Sequence, residues 1–240
     1  MAHFLEIALG GILIHLYQAI GLGSAEASKQ VTAVSGALSW EVIVVVALIL
    51  FFLLVRATLS VEKPNPAQQV AEMVHESIGG LGEQIIGHDY PRFQAFVTCI
   101  FLFVLLNNLL GLIPGISTPT GQPYVPLGLA ALTFLYYNLH GIRVHGFKYI
   151  KQFLGPLPAL APLMCPIEIV SHLARVMSLT IRLYANMFAS DLLMLVWFSI
   201  IPLAVPAAFL GLHFFVSIIQ AFVFMLLTMI YLTMAVSEEH

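Results

Sequence analysis

From Leu38 to Leu59 the chain reads LSWEVIVVVALILFFLLVRATL. As a helix, a run of about 20 apolar residues covers the hydrocarbon thickness of a bilayer. In lipid every backbone N–H and C=O must be bonded internally, so a spanning chain is either helical or a closed barrel. A barrel needs strands of about ten residues with alternating polarity, and this run does not alternate. Composition extends the point to the whole chain. Over 240 residues it is 60% hydrophobic and 9% charged, whereas a soluble domain has about 25% charged residues. The fold class is an all-α polytopic membrane protein.

Four more apolar stretches follow the first span. The second covers about 93–113 and ends at "IPG"; the third covers about 125–142. Pro119 and Pro123 break the loop between them, so the two form a hairpin. The last two stretches, 166–200 and 206–236, are separated by "IPLAVP". A helix of about 35 residues runs ~52 Å, against a hydrocarbon core of ~30 Å. Both must therefore lie strongly tilted to stay buried. Between the first two spans, Val70, Met73, Val74, Ile78, Leu81 and Ile85 recur at helical spacing. That pattern predicts an amphipathic surface helix over 67–87. Residues 1–36 read as an N-terminal interfacial segment, and 37–240 as a single membrane domain. "GPLPALAPLMCP", ending at Pro166, reads as a kink or re-entrant approach.

The basic residues orient the chain. Arg56, Lys63 and Arg92 flank the connection after the first span, and Arg143, Lys148, Lys151 and Arg175 lie in or near the connection after the third. Loops 114–124 and 201–206 have none. The basic side is cytoplasmic, which puts the N-terminus outside and the terminal "SEEH" inside. A bacterial inner membrane is the expected location. No basic run suits a nucleic acid. Cys99 and Cys165 form neither a disulfide framework nor a metal-ligand spacing. His140 and His145 are not on one helix face and lie where a loop begins, so they read as interface residues. No cofactor or metal is expected, and no G-x-x-x-x-G-K-[ST] phosphate loop exists.

The polar residues of the fourth span carry the functional signal. With Glu168 at zero on a helical wheel, His172 falls near about +40°, Arg175 near −20°, Arg182 near −40°, Asn186 near 0° and Ser190 near +40°. Asp191, nine residues beyond Arg182, lies on roughly the opposite side. In the fifth span His213, Ser217, Gln220, Thr228 and Tyr231 share a sector of about 80°. An arginine at mid-membrane costs roughly 2.5–3.5 kcal/mol to insert and does not lose its charge in a protein. Serine and threonine alone can serve as helix–helix glue. Glue does not require a permanent cation, a carboxylate and an imidazole on neighbouring helices.

Four stretches carry a resemblance: "SLTIRLYANMFASDLL", "LHFFVSIIQAFVFMLLTMIYLTMAVSEEH", "FVLLNNLLGLIPG" and "PIEIVSHLARVMSLTIR". They are similar to the signature of subunit a of the rotary ATP synthase membrane sector, over roughly residues 36–240. The resemblance implies two long tilted helices packed against a ring of c subunits, with peripheral-stalk b subunits as further partners. It implies that Arg182 is the family's essential arginine. Asp191 matches an acidic position, commonly Glu, of an outer half-channel, with His213, Asn186 and Gln220 as polar partners. Glu168, Ser171 and His172 match an inner half-channel. The implied role is proton delivery to and from ring carboxylates, with ATP chemistry in another sector. Ala185 stands where the family usually has Gly, and Val176 where a proline is common. A secondary ion-coupled transporter is the alternative. It would favour paired repeats around a midplane site, and the chain shows kinks without a repeat.

Overall fold

A computed structural model describes residues 25–60, 64–113, 118–146, 161–200 and 204–236. Among these residues all regular structure is helical. Six α-helices follow in order: α1 (Ala25–Ala57), α2 (Pro66–Ile85), α3 (Gln94–Leu110), α4 (Tyr124–His145), α5 (Ala161–Ile200) and α6 (Ala204–Val236). Single 3₁₀ turns, Tyr90–Arg92 and Pro119–Gly121, precede α3 and α4. Four helices contain a span of membrane-crossing length and hydropathy, in α1, α4, α5 and α6. The fifth apolar helix, α3, has 17 residues. The chain is a polytopic α-helical membrane protein.

Several element ends differ from the sequence expectation. α1 extends back to Ala25, into the stretch expected to be interfacial; residues 1–24 lie outside the described residues. α3 stops at Leu110 with Gly111 as its C-cap, ahead of Pro114, which disfavours helix for the residue before it. α4 continues through His145, so His140 sits inside a helix rather than at a loop. Its ring packs edge-on to Phe93 and its Nδ1 lies 3.0 Å from the carbonyl of Tyr136. α5 contains Pro166 in its interior. The second half of the proline-rich stretch is thus helical rather than a re-entrant approach, while 147–160 and the terminal "SEEH" lie outside the described residues. Pro162 is tolerated there because first-turn N–H groups have no intrahelical acceptor.

The bundle closes around α6, which packs on α3, α4 and α5. One apolar cluster joins Val104 of α3, Leu129 of α4, Leu183 and Met187 of α5 and Phe224 of α6. A second joins Ile78 of α2 to Tyr90, Phe93, Tyr137, Met225 and Met229. α2 meets the bundle through four of the six residues of its expected stripe, Ile78 lying within the second cluster. Val74, Leu81 and Ile85 pack against the second cluster, whereas Val70 and Met73 are exposed. α5 and α6 have 40 and 33 residues, or ~60 Å and ~50 Å of helix, well beyond a ~30 Å core.

Candidate functional site

Three polar features lie along α5. Glu168 and Asp191 flank Arg182 at axial distances of ~21 Å and ~13 Å, taking about 1.5 Å per residue. The buried side of the helix is defined by His172, Leu179, Thr180, Leu183 and Met187, which centres it near about +70° on the wheel used above. Arg182, near about −40°, falls outside that sector.

The first feature surrounds Asp191. Its carboxylate accepts hydrogen bonds from the hydroxyl of Thr118 at 2.8 Å and from the Thr118 N–H at 3.3 Å. His213 Nδ1 lies 4.0 Å from Asp191 Oδ1 and 2.6 Å from the hydroxyl oxygen of Ser190. His213 Nε2 lies 3.2 Å from the backbone carbonyl of Asn108. A carbonyl only accepts, so Nε2 carries a hydrogen. In the neutral ring Nδ1 is then the bare nitrogen and accepts from Ser190. Thr120 donates to the Asn108 side chain at 2.6 Å, and Asn108 donates to the Ser217 carbonyl at 3.4 Å. The turn 118–121, α3, α5 and α6 thus converge on one hydrogen-bonded cluster. Asp191, His213 and Ser190 are sequence candidates or stripe members; Thr118, Thr120 and Asn108 are additions.

The second feature lies toward the start of α5. His172 Nε2 is 3.5 Å from Glu168 Oε1, and His172 Nδ1 is 3.0 Å from the phenol oxygen of Tyr137 on α4. The guanidinium of Arg175 stands over the ring of Tyr231 at 5.7 Å, a cation–π contact. Ser171 is half-buried at the neighbouring position. Tyr137 escaped the sequence reading because an aromatic in an apolar span reads as core.

The third feature is Arg182 itself. It is exposed, and its guanidinium donates to Ser178 Oγ at 3.5 Å. Among the described residues no carboxylate lies within ion-pair distance of it. Asn186, one turn on, donates to Gln220 Oε1 at 2.7 Å. The buried Gln220 Nε2 has no acceptor among the described residues. The polar stripe therefore does not face the interior as a unit. His172 and Ser190, at about +40°, turn inward, and Arg182, at about −40°, turns out. No group of metal-ligating residues occurs among the described residues.

Membrane-length helices with titratable groups hydrogen-bonded across their interfaces define a polytopic α-helical protein whose polar residues line helix seams. Comparison with known proteins makes this specific. Residues 38–233 match the family model described as ATP synthase A chain. The chain is 45% identical over 208 residues to ATP synthase subunit a of Koribacter versatilis, covering 86% of this chain and 85% of that one. It is 45% identical over 201 residues to ATP synthase subunit a of Solibacter usitatus, with 83% and 86% covered. Against ATP synthase subunit a of Helicobacter pylori strain P12 it is 40% identical over 200 residues, with 82% and 88% covered. The chain belongs to the ATP synthase A chain family and, with it, to the membrane sector of that complex.

Proposed function

We propose that this chain is the proton-conducting stator of the membrane sector. In this reading Asp191, His213, Asn186 and Gln220 line an outer half-channel, Glu168, Ser171 and His172 line an inner one, and Arg182 stands between them. The partner is a ring of c subunits, each with a mid-membrane carboxyl, and peripheral-stalk b subunits hold the chain in place. Residues 37–240 act as one membrane domain in a bacterial inner membrane, with the N-terminus outside and the C-terminus in the cytoplasm.

The observation that carries the proposal is the outward-facing Arg182 with no carboxylate near it among the described residues. A permanent cation in a membrane helix requires an anionic partner or water. A ring carboxyl supplies one. Facing lipid, the carboxyl keeps its proton because the ion would be desolvated. Facing Arg182, the carboxylate gains ~4 kcal/mol at ~4 Å and an effective dielectric of ~20. That difference is a factor of about a thousand in proton affinity. The proton leaves beside the arginine into one path and is replaced from the other. Arg182 also repels a proton crossing directly between the paths. ATP is made or hydrolysed elsewhere in the complex, and this chain is not itself the catalyst.

ATP-driven proton pumping in inverted vesicles carrying the whole complex tests this. Arg182→Ala abolishes pumping while the complex still assembles. Pumping at the wild-type rate in that variant would mean that the arginine is structural and the half-channel reading is wrong.

A further inference from the structure

One residue outside all of these roles holds the outer acid at both oxygens. Thr118 donates its hydroxyl to Asp191 Oδ1 at 2.8 Å and its backbone N–H to Oδ2 at 3.3 Å. It is 1% exposed, and it begins a turn closed by Gly121 N–H to Thr118 O at 2.9 Å and Gln122 N–H to Pro119 O at 3.0 Å. Thr120 ties the turn to Asn108 at 2.6 Å, and the Asn108 carbonyl receives His213 Nε2 at 3.2 Å. A single turn therefore sets the acid on α5 and the imidazole on α6 relative to each other. Space is limited on both sides of the clamp. A Cβ at Gly121 would stand 3.2 Å from Asp191 Oδ2, and one at Gly111 would collide with Thr118 Oγ1.

We propose that Thr118 is a positioning residue of the outer path, clamping the Asp191 carboxylate so that Oδ1 faces His213 Nδ1. The clamp matters because the Asp191 side chain is 27% exposed and free of it would turn to whatever water is nearby. Held as it is, Oδ1 lies 4.0 Å from Nδ1, within reach of one short movement or one intervening donor. The clamp is also fitted to the length of aspartate. One more methylene would carry the carboxylate beyond the positions at which the Thr118 hydroxyl and N–H now meet it. The proposal rests on the reading that Asp191 lies on the outer proton path.

The test is ATP-driven pumping by the assembled complex in a short series of variants. Thr118→Val keeps the shape and removes the hydroxyl; it lowers pumping about tenfold, the effect of one lost hydrogen bond to a charged oxygen. Thr118→Ser restores the donor and recovers most of the rate. Asp191→Glu retains an acid displaced from the clamp, so adding Thr118→Val to it costs less than about twofold, a coupling that a merely structural threonine does not produce. If the valine variant is not incorporated, Thr118→Ala is read in the same way. Equal losses from Thr118→Val in the wild-type and Asp191→Glu backgrounds, or a valine variant that pumps like wild type, overturn the clamp. Asp191→Ala pumping at the wild-type rate removes the outer-path reading and the clamp together. Asp191→Ala inactive with Thr118→Val unimpaired removes the clamp alone.

Discussion

Gly111 shows how closely the outer cluster is built. Its φ of −64° is open to any residue, so its use is the missing side chain, not backbone freedom. A Cβ there would collide with Thr118 Oγ1 and stand 2.8 Å from His213 Nε2. Neither neighbour is the free end of a flexible chain, since both are bonded in place. Gly111→Ala therefore displaces the turn or the imidazole. Overpacking of this kind costs roughly 1–3 kcal/mol. Its expected signature is a several-fold loss of ATP-driven pumping in a complex that still assembles, measured against wild type at matched protein content. Retained pumping would show that turn and ring shift without consequence. At this scale the sequence was informative for residues that are costly in lipid. Arg182, Asp191, His213 and Gln220 stand out because each needs a partner. Thr118 and Thr120 did not stand out, because a loop has no periodicity that aims its side chains. The paired amides Asn107 and Asn108, both fully buried, were the available hint that something polar meets α3.

The elements were legible in kind and less so in extent. Apolar length and 3.6-residue periodicity identify helices, but they do not mark where a helix stops when its flanks are also apolar. Pro166 illustrates this. The stretch it ends reads as a kink or re-entrant approach leading into a span from 166, yet α5 starts at Ala161 and passes through Pro166 at the loss of one backbone bond. α2 illustrates the converse. Its stripe predicted one buried side, and tertiary packing divides it, with Ile78 buried and Met73 exposed. The junction that holds its buried half is Gly82, over which the ring of Tyr90 lies so closely that any Cβ would collide with it. Gly82→Ala is expected to loosen α2 from the start of α3 and to lower the thermal midpoint of the detergent-solubilised complex by several degrees. Burial pushes the Tyr90 phenol up to about 12, and its hydroxyl has no partner among the described residues. Tyr90→Phe should therefore leave the midpoint unchanged or raise it slightly, because no hydrogen bond is lost. Equal losses from both substitutions would show that the hydroxyl, rather than the ring face, makes the junction.

At the scale of the whole molecule the bundle is one-sided. In the most apolar stretch of α6, 44% is buried, but in that of α5 only 11%. In the proposed function this open face of α5, which carries Arg182, is the one turned to the ring. The open surface of α5 is not uniform. Ser178, Ala185 and Ala189 lie within about 60° of Arg182 on the wheel, and all three are exposed. Small residues let a neighbouring helix approach closely in a membrane, where packing replaces the hydrophobic effect as the driving force. Met177 is also exposed, but it lies about 140° from Arg182 among bulky aliphatic side chains suited to lipid. In the proposed function the small-residue face meets a ring helix and the bulky face meets lipid. After replacement of Cys99 and Cys165 by serine, single cysteines carrying a photoactivatable maleimide separate them. Probes at Ala185→Cys and Ala189→Cys should yield adducts with a small ring subunit. A probe at Met177→Cys should label lipid, and Leu183→Cys, fully buried, should resist modification. If Met177 and Ala189 give the same adducts in the same yield, the small-residue face is not the docking surface, and the proposal that a ring carboxylate meets Arg182 there fails.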